Sequence, residues 1–215
     1  ILIEPDGKDE WIELNPPENP YALAHEDLAS LVEDAGIVGM GGAIFPAAIK
    51  LRQGRRFEIK TLIINGSECE PYLTTDDRLM CERAADIVEG TKLVRHIIEA
   101  YQAVIAVEST QPEALIALRH AAKDIGSTEV VSVPARYPMG SAKQLIQAVT
   151  GHEVPAGARS NDIGVLVHNV ATVYAIQQAL VHGRPLISRV TTVAGGCVKT
   201  PQNVEALIGG ISTAD

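Results

Sequence analysis

The sequence predicts an α/β fold, a mostly parallel sheet with flanking helices, and three observations carry that reading. Short apolar, β-branched runs alternate along the chain with amphipathic stretches of helical period. Of the 215 residues, 46% are apolar but only 4% aromatic, so the core must be built from Ala, Val, Ile and Leu, as in helices packed on a buried sheet. Polar or Gly-bearing segments directly follow several apolar runs, at the strand ends where open α/β sheets bind ligands.

Residues 1–24, with Pro5, Pro16, Pro17 and Pro20, read as an extended leading segment. From His25 to Ala35, Leu28, Leu31, Val32 and Ala35 fall at helical spacing, and Gly36 stands where a helix would stop. A second helix is expected over Ala47 to Gln53. The run Thr61 to Ile64, one long helix from about Asp77 to Tyr101, and the run Ala103 to Val107 give strand, helix, strand. Gln111-Pro112-Glu113 then opens a helix with Leu115, Leu118 and Ala122 on one face. A strand over Glu129 to Val133, a helix over Ala142 to Val149, a polar loop over 150–162, a strand over Gly164 to Val167 and a helix over Val170 to His182 complete an α/β domain of residues 25–183. This alternation is Rossmann-like. From Pro185 the texture changes to β-branched residues, Ile187 to Val193, then Gly195-Gly196, so residues 184–215 read as the start of a small β-containing module.

Charge and cysteine content narrow the function classes. A net charge of −9, from 18 Lys+Arg against 27 Asp+Glu, argues against a nucleic-acid groove. No uninterrupted apolar run reaches about 18 residues, so a direct membrane span is not expected and membrane attachment would need a partner. Cys69, Cys81 and Cys197 are an odd number without short paired spacing, which fits a reducing compartment and cannot supply a four-ligand cluster. No C-x-x-C or H-x-x-x-H spacing and no Ser/His/Asp arrangement occurs, so zinc and hydrolytic chemistry are disfavoured. The start at Ile1 and the Gly-rich close, Ile208-Gly209-Gly210, read as a piece of a longer protein.

Four segments are candidates for chemistry. Gly39-Met40-Gly41-Gly42-Ala43-Ile44-Phe45-Pro46 precedes a predicted helix, where bare backbone N–H groups and the helix dipole suit a phosphate, with Lys50 one turn on. Because the loop follows a helix rather than a strand, a tight connecting turn is an equal reading. Asn65-Gly66-Ser67-Glu68-Cys69-Glu70 leaves the end of a predicted buried strand: Asn65 offers donor and acceptor, and Glu68 and Glu70 can meet hydroxyls or an amide. A solvated turn is the plainer alternative there, and Thr74 to Arg78 reads as a helix start without chemistry. Tyr137-Pro138-Met139-Gly140 joins a β-run to a helix, with Tyr137 able to cover a planar ligand or simply to pack. His168-Asn169-Val170-Ala171-Thr172 repeats the strand-end placement of Asn65, with His168 read as a satisfied polar residue before a base.

Taken together and in order, Gly36 to Pro46, Leu62 to Tyr72, Tyr137 to Gly140 and Asn169 to Thr172 closely resemble the C subunit of Rnf electron-transport complexes. More distantly, the same order resembles the flavoprotein subunit of respiratory complex I. The resemblance implies hydride transfer from NADH to FMN, borne by the cofactor without a catalytic side chain. Single electrons would then pass to 4Fe-4S clusters whose ligands lie outside this chain. By motif it implies that Gly39, Gly41, Gly42, Lys50, Asn65, Ser67, Tyr137, Gly140, Asn169 and Thr172 meet FMN, and that Phe45, Glu68 and Glu70 meet NADH. It implies no metal site in this chain, a continuation into a soluble-ligand-binding β-grasp module over 184–215, and other subunits of the membrane complex as partners. The implied location is peripheral, on the cytoplasmic face of the inner membrane. Ile44 departs from the pattern, which usually has Gly there, and Ser141 and Ala142 stand where the complex I relative has two glutamates. A corrinoid reductase of similar build, or a docking scaffold with a decayed flavin site, are the alternatives.

Overall fold

The computed structural model describes residues 7, 8 and 10–209. The beginning of the expected leading segment and the end of the expected β-containing module lie outside the described residues. Four parallel strands form the central sheet: β1 (Thr61–Gly66), β2 (Gln102–Glu108), β3 (Thr128–Val133) and β4 (Val165–Asn169), in spatial order β3-β2-β1-β4. Leu62, Ile63 and Ile64 of β1 are fully buried, as a central strand covered on both faces requires. The alternation of side chains divides the core in two. Leu62, Ile64, Ile105 and Leu166 face a large cluster with α1 (His25–Asp34), α2 (Ala47–Gly54), α3 (Thr75–Glu82), α4 (Ala84–Ile98), α5 (Pro112–Ala122) and α7 (Val170–His182). Ile63, Ala106, Val165 and Val167 face a smaller one with Met139 and with Leu145 and Ile146 of α6 (Ala142–Thr150).

Helix α1 buries Leu28, Ala29 and Val32 and ends at Ala35, with Gly36 at φ +68°, the left-handed conformation that closes many helices. The single long helix expected from Asp77 to Tyr101 is instead two. Arg83, at φ −127° and ψ 29°, leaves the helical region between α3 and α4. No Gly or Pro marks that break, because residues 77–89 are all tolerable in a helix. Packing sets it: α3 buries Leu79 and Met80, while α4 buries Ile87, Val88, Leu93, Val94, Ile97 and Ile98.

Past α7, β5 (Ser188–Val193) and β6 (Gln202–Leu207) form an antiparallel pair. An isolated two-stranded ribbon is marginal in water, and this one is tied to the α/β core. Leu186 N–H donates to Ala35 C=O at 2.9 Å. Thr74 N–H donates to Thr192 Oγ1 at 3.1 Å, and Asn203 Nδ2 donates to Thr74 C=O at 3.1 Å. Among the described residues, no helix is long and apolar enough to cross a membrane.

Gly90 allows α4 to approach α7 closely: a Cβ there would lie 2.4 Å from the Val173 carbonyl oxygen. Gly→Ala inside a helix ordinarily stabilises by about 0.5–1 kcal/mol. Gly90→Ala is expected to reverse that sign and cost about 1–3 kcal/mol through overpacking, read from denaturant unfolding.

Candidate functional site

From β1 the sheet grows to β2 and β3 on one side, whereas β4 lies on the other. Where strand order reverses in this way, the loops leaving two neighbouring strands part and open a crevice at their carboxyl ends. A cavity of about 390 Å³, within the size range of small-molecule sites, occupies that place. Gly39, Gly41, Phe45 and Lys50 line it from the glycine loop and α2. Asn65, Cys69 and Glu70 come from the end of β1. Tyr137, Gly140, Ser141 and Ala142 come from the approach to α6, and His168, Asn169 and Thr172 from β4 and α7.

The glycine loop is a tight turn and also a wall of the cavity. Gly39 N–H donates to Phe45 C=O at 2.8 Å, and Val38 and Pro46 pair across the turn. Its apex is held by Met40 N–H, which donates to Thr172 Oγ1 at 2.9 Å, and by Met40 C=O, which accepts from Arg189 Nη2 at 2.7 Å. A Cβ on Gly41 would sit 3.3 Å from Asn169 Cβ, so only a bare backbone passes there comfortably. Gly42, at φ +99°, shapes the turn without lining the cavity. Ile44 also takes a left-handed conformation, φ +51°, which costs a β-branched residue about 1–2 kcal/mol. Its side chain is 66% exposed and does not line the cavity.

Lys50 is the cation of the site. Its Nζ donates to Val167 C=O, and burial lowers its pKa to about 8, so it keeps its charge at neutral pH. Beside it, His168 is buried, and burial followed by the Lys50 ammonium holds the imidazole pKa well below its ordinary value. Neither α2 nor α6 has a side-chain cap at its N-terminus, and Ala47 and Ala142 at those ends both line the cavity. The Ala47 N–H is already taken by Ile37 C=O at 3.0 Å, so it is the dipole of each helix start, and not that amide, that favours an anion there.

Two asparagines brace the crevice. Asn65 Nδ2 donates to Gly140 C=O at 2.8 Å while its Oδ1 accepts from Ser67 N–H at 2.9 Å. Gly140 N–H in turn donates to Cys69 Sγ at 3.3 Å, and a Cβ on Gly140 would meet Ser67 C=O at 2.6 Å. Asn169 Oδ1 caps α7 by accepting from Ala171 N–H at 2.9 Å and Thr172 N–H at 3.3 Å, and its Nδ2 donates to Asp76 Oδ2 at 2.5 Å.

Ser67 and Glu68 are not brought to the cavity. Ser67 Oγ donates to Glu108 Oε1 at 2.8 Å, turning toward the end of β2. Glu68 points at the start of α3: its Oε1 accepts from Thr75 N–H, Thr75 Oγ1 and Asp76 N–H at 2.9, 2.8 and 3.1 Å, and its Oε2 from Asp77 N–H at 3.2 Å. An uncapped helix end attracts a nearby carboxylate, so Glu68 supplies the cap that Thr74 does not. Glu70 and Phe45 do line the cavity, and Tyr137, 72% exposed, stands at its rim. Asp76 and Arg189 support the site and are not visible as such in sequence, since one reads as a helix start and the other as part of a strand. Among the described residues no group of His, Cys, Asp and Glu could hold a metal ion.

The residues present fit a phosphorylated planar cofactor. The set comprises a glycine wall that a Cβ would crowd, one buried ammonium, two uncapped helix ends, and aromatic side chains at Phe45 and Tyr137.

Asp76 carries a pH signature. Its carboxyl is pushed up from 3.8 to about 7, by desolvation first and then by the Glu68 carboxylate, against the hydrogen bond from Asn169. Between those values the folded chain holds a proton that the unfolded chain has released, so this group lowers stability as pH rises through about 4 to 7. Asp76→Asn is therefore expected to leave stability near wild type at about pH 4 and to exceed it above about pH 7, measured as unfolding midpoints across that range.

Comparison with known proteins places these features. A family model described as the Nuo51 FMN-binding domain matches residues 32–178. The C subunit of the ion-translocating oxidoreductase complex of Rhodobacter capsulatus is 46% identical over 210 residues, covering 97% of this chain and 40% of the relative. The protein of the same name from Haemophilus influenzae is 44% identical over 209 residues, 97% of this chain and 31% of the relative. The chain thus spans less than half the length of these curated relatives. Among solved structures, an NAD+-reducing [NiFe]-hydrogenase in the H2-reduced state superposes with a TM-score of 0.72 at 25% identity, over 88% of this chain and 38% of that one. The match across the sheet, the glycine loop and the crevice shows that the chain belongs to the Nuo51 FMN-binding domain family, and that its resemblance to the C subunit of Rnf-type complexes runs along nearly its whole length.

Proposed function

We propose that this chain is the NADH-oxidising flavin module of an Rnf-type C subunit in a membrane-associated, ion-translocating electron-transport complex. The observation that carries it is the convergence of the glycine loop, Lys50 and two uncapped helix ends on one cavity at the β1/β4 switch point. FMN, when bound, supplies two-electron acceptance from NADH and one-electron release to iron–sulfur clusters. Lys50 and the dipoles of the α2 and α6 starts hold negative charge, Gly39 and Gly41 let the backbone approach it, and Asn65, Gly140, Asn169 and Thr172 fix the shape of the crevice. Phe45 and Tyr137 offer aromatic faces, and Glu70 offers a carboxylate to hydroxyls or an amide of the nicotinamide nucleotide. Ser67 and Glu68 act at one remove, as anchors of the loop after β1. No side chain is required as acid or base, because hydride transfer lies between cofactor and substrate.

The remaining parts of this reading follow from the likeness to these relatives: other subunits as partners, 4Fe-4S clusters in the longer protein, and a peripheral position on the cytoplasmic face of the membrane. Residues 184–209, with the β5–β6 pair, are assigned to the opening of a β-grasp module. Ile44 gives no support to a decayed site, since its side chain points away from the cavity.

Titration of the chain with FMN is expected to quench flavin fluorescence, and NADH is then expected to bleach the visible flavin band. A folded chain that leaves flavin fluorescence unchanged at high micromolar concentration would overturn the proposal. Gly41→Val and Lys50→Met should each weaken FMN binding about tenfold or more, through lost backbone access and a lost charged hydrogen bond. Wild-type affinity should also fall as pH rises through about 8, where Lys50 loses its proton, and the Lys50→Met variant should show no such fall.

A further inference from the structure

A second cavity, of about 580 Å³, lies between the α/β core and the β5–β6 ribbon and shares no lining residue with the crevice. Gly39 and Gly41 line the crevice, whereas Met40 between them lines this cavity, so the glycine loop is the partition. Leu79 of α3, Ala175 of α7, Val190 of β5 and Leu207 of β6 give it apolar walls, and Trp11 of the leading segment lines it too. Trp11 and Leu207 are 57% and 62% exposed, so part of this apolar lining faces water. Exposed apolar surface gathered into a concavity of this size is what small-molecule sites offer. Four charged side chains also line it: Asp76, Arg184, Arg189 and Glu205. Both carboxylates are engaged, Asp76 by the Asn169 amide at 2.5 Å and Glu205 by the Ser188 hydroxyl at 2.6 Å. The guanidiniums are not used up. Arg184 Nη1 donates to Gln178 Oε1 at 3.3 Å and Arg189 Nη2 to Met40 C=O at 2.7 Å, one bond each among the described residues, and each group has five N–H donors. The bond to Met40 also holds Arg189 in place, and a guanidinium already held loses less freedom on taking a further anion.

We propose that this cavity is a second ligand site, which takes a small organic carboxylate with an apolar body, held at its charged end by Arg189. The body lies against the walls made by α3, α7 and the ribbon, under Trp11, and the carboxylate accepts from the guanidinium donors that Met40 leaves open. The inference does not rest on the flavin reading, since the two sites have no residue in common.

Trp11 is the single tryptophan of the chain, so its emission reports on this cavity alone. The experiment titrates the chain with octanoate and with octanamide, its uncharged counterpart, and follows that emission. Octanoate at millimolar concentration is expected to move the emission to shorter wavelength and to bind about tenfold more tightly than octanamide, through its charged hydrogen bonds. Arg189→Met should bring octanoate down to the level of octanamide, and Arg189→Lys should restore a preference for the anion. Leu207→Glu, at an exposed position, should weaken octanoate about tenfold by removing apolar wall and adding like charge. Emission indifferent to octanoate, or equal affinity for the acid and the amide, would overturn the inference. A preference for octanoate that survives Arg189→Met, or an affinity untouched by Leu207→Glu, would overturn it by placing the ligand elsewhere. If Arg189→Met loses both ligands because the ribbon shifts, Arg189→Lys decides: a kept preference for the anion supports the site, and the same loss of both makes Arg189 structural and ends the proposal.

Discussion

Asn169 is the residue on which the crevice is built. Its side-chain carbonyl oxygen holds amides in the first turn of α7, its amide nitrogen holds Asp76 at the start of α3, and its Cβ stands where a side chain on Gly41 would crowd it. One short side chain thus joins three pieces of chain that are distant in sequence. The position is available because β4 lies beside β1, so that α7 and α3 start from neighbouring strand ends. With α7 fixed, Thr172 presents its hydroxyl to Met40 and sets the glycine loop in turn. The order of dependence runs from strand order to cap to loop.

The same crevice holds polar groups in states that a core selected for stability alone would avoid. Lys50 is buried against a single backbone carbonyl, the Asp76 carboxyl is held near neutrality by burial and by Glu68, and Ile44 is strained. Sites of this sort are tolerated where a ligand completes them. The opposite regime operates between the lining residues Asn65 and Cys69: Glu68 accepts four hydrogen bonds and Ser67 is paired with Glu108, so the loop after β1 is anchored where it carries the crevice wall.

Most of the sheet and its helices were legible because each is governed by local period. α7 begins and ends where its pattern does, and α1 stops at Gly36 as its left-handed cap requires. The break at Arg83 was not legible, because it answers to which surfaces α3 and α4 bury and not to any helix-breaking residue. At the site, the motifs named the correct segments but could not tell which way each side chain turns. Asn65 and Glu70 reach the cavity, whereas Ser67 and Glu68, between them in sequence, are drawn off by Glu108 and by the open end of α3. Asp76 and Arg189 were hidden for a related reason: each acts through one long-range hydrogen bond, for which a single sequence carries no signal.

Met40 has its N–H held by α7 and its C=O held by Arg189 of β5. The apex of the glycine loop therefore belongs to two bodies at once, the α/β core and the β5–β6 ribbon. Lifting the ribbon leaves a carbonyl at that apex without its charged donor, and a distorted loop offers Arg189 no fixed acceptor. The two are linked by a reciprocal free energy: whatever order one imposes on the loop, the other feels as firmer seating of the ribbon, and by the same amount.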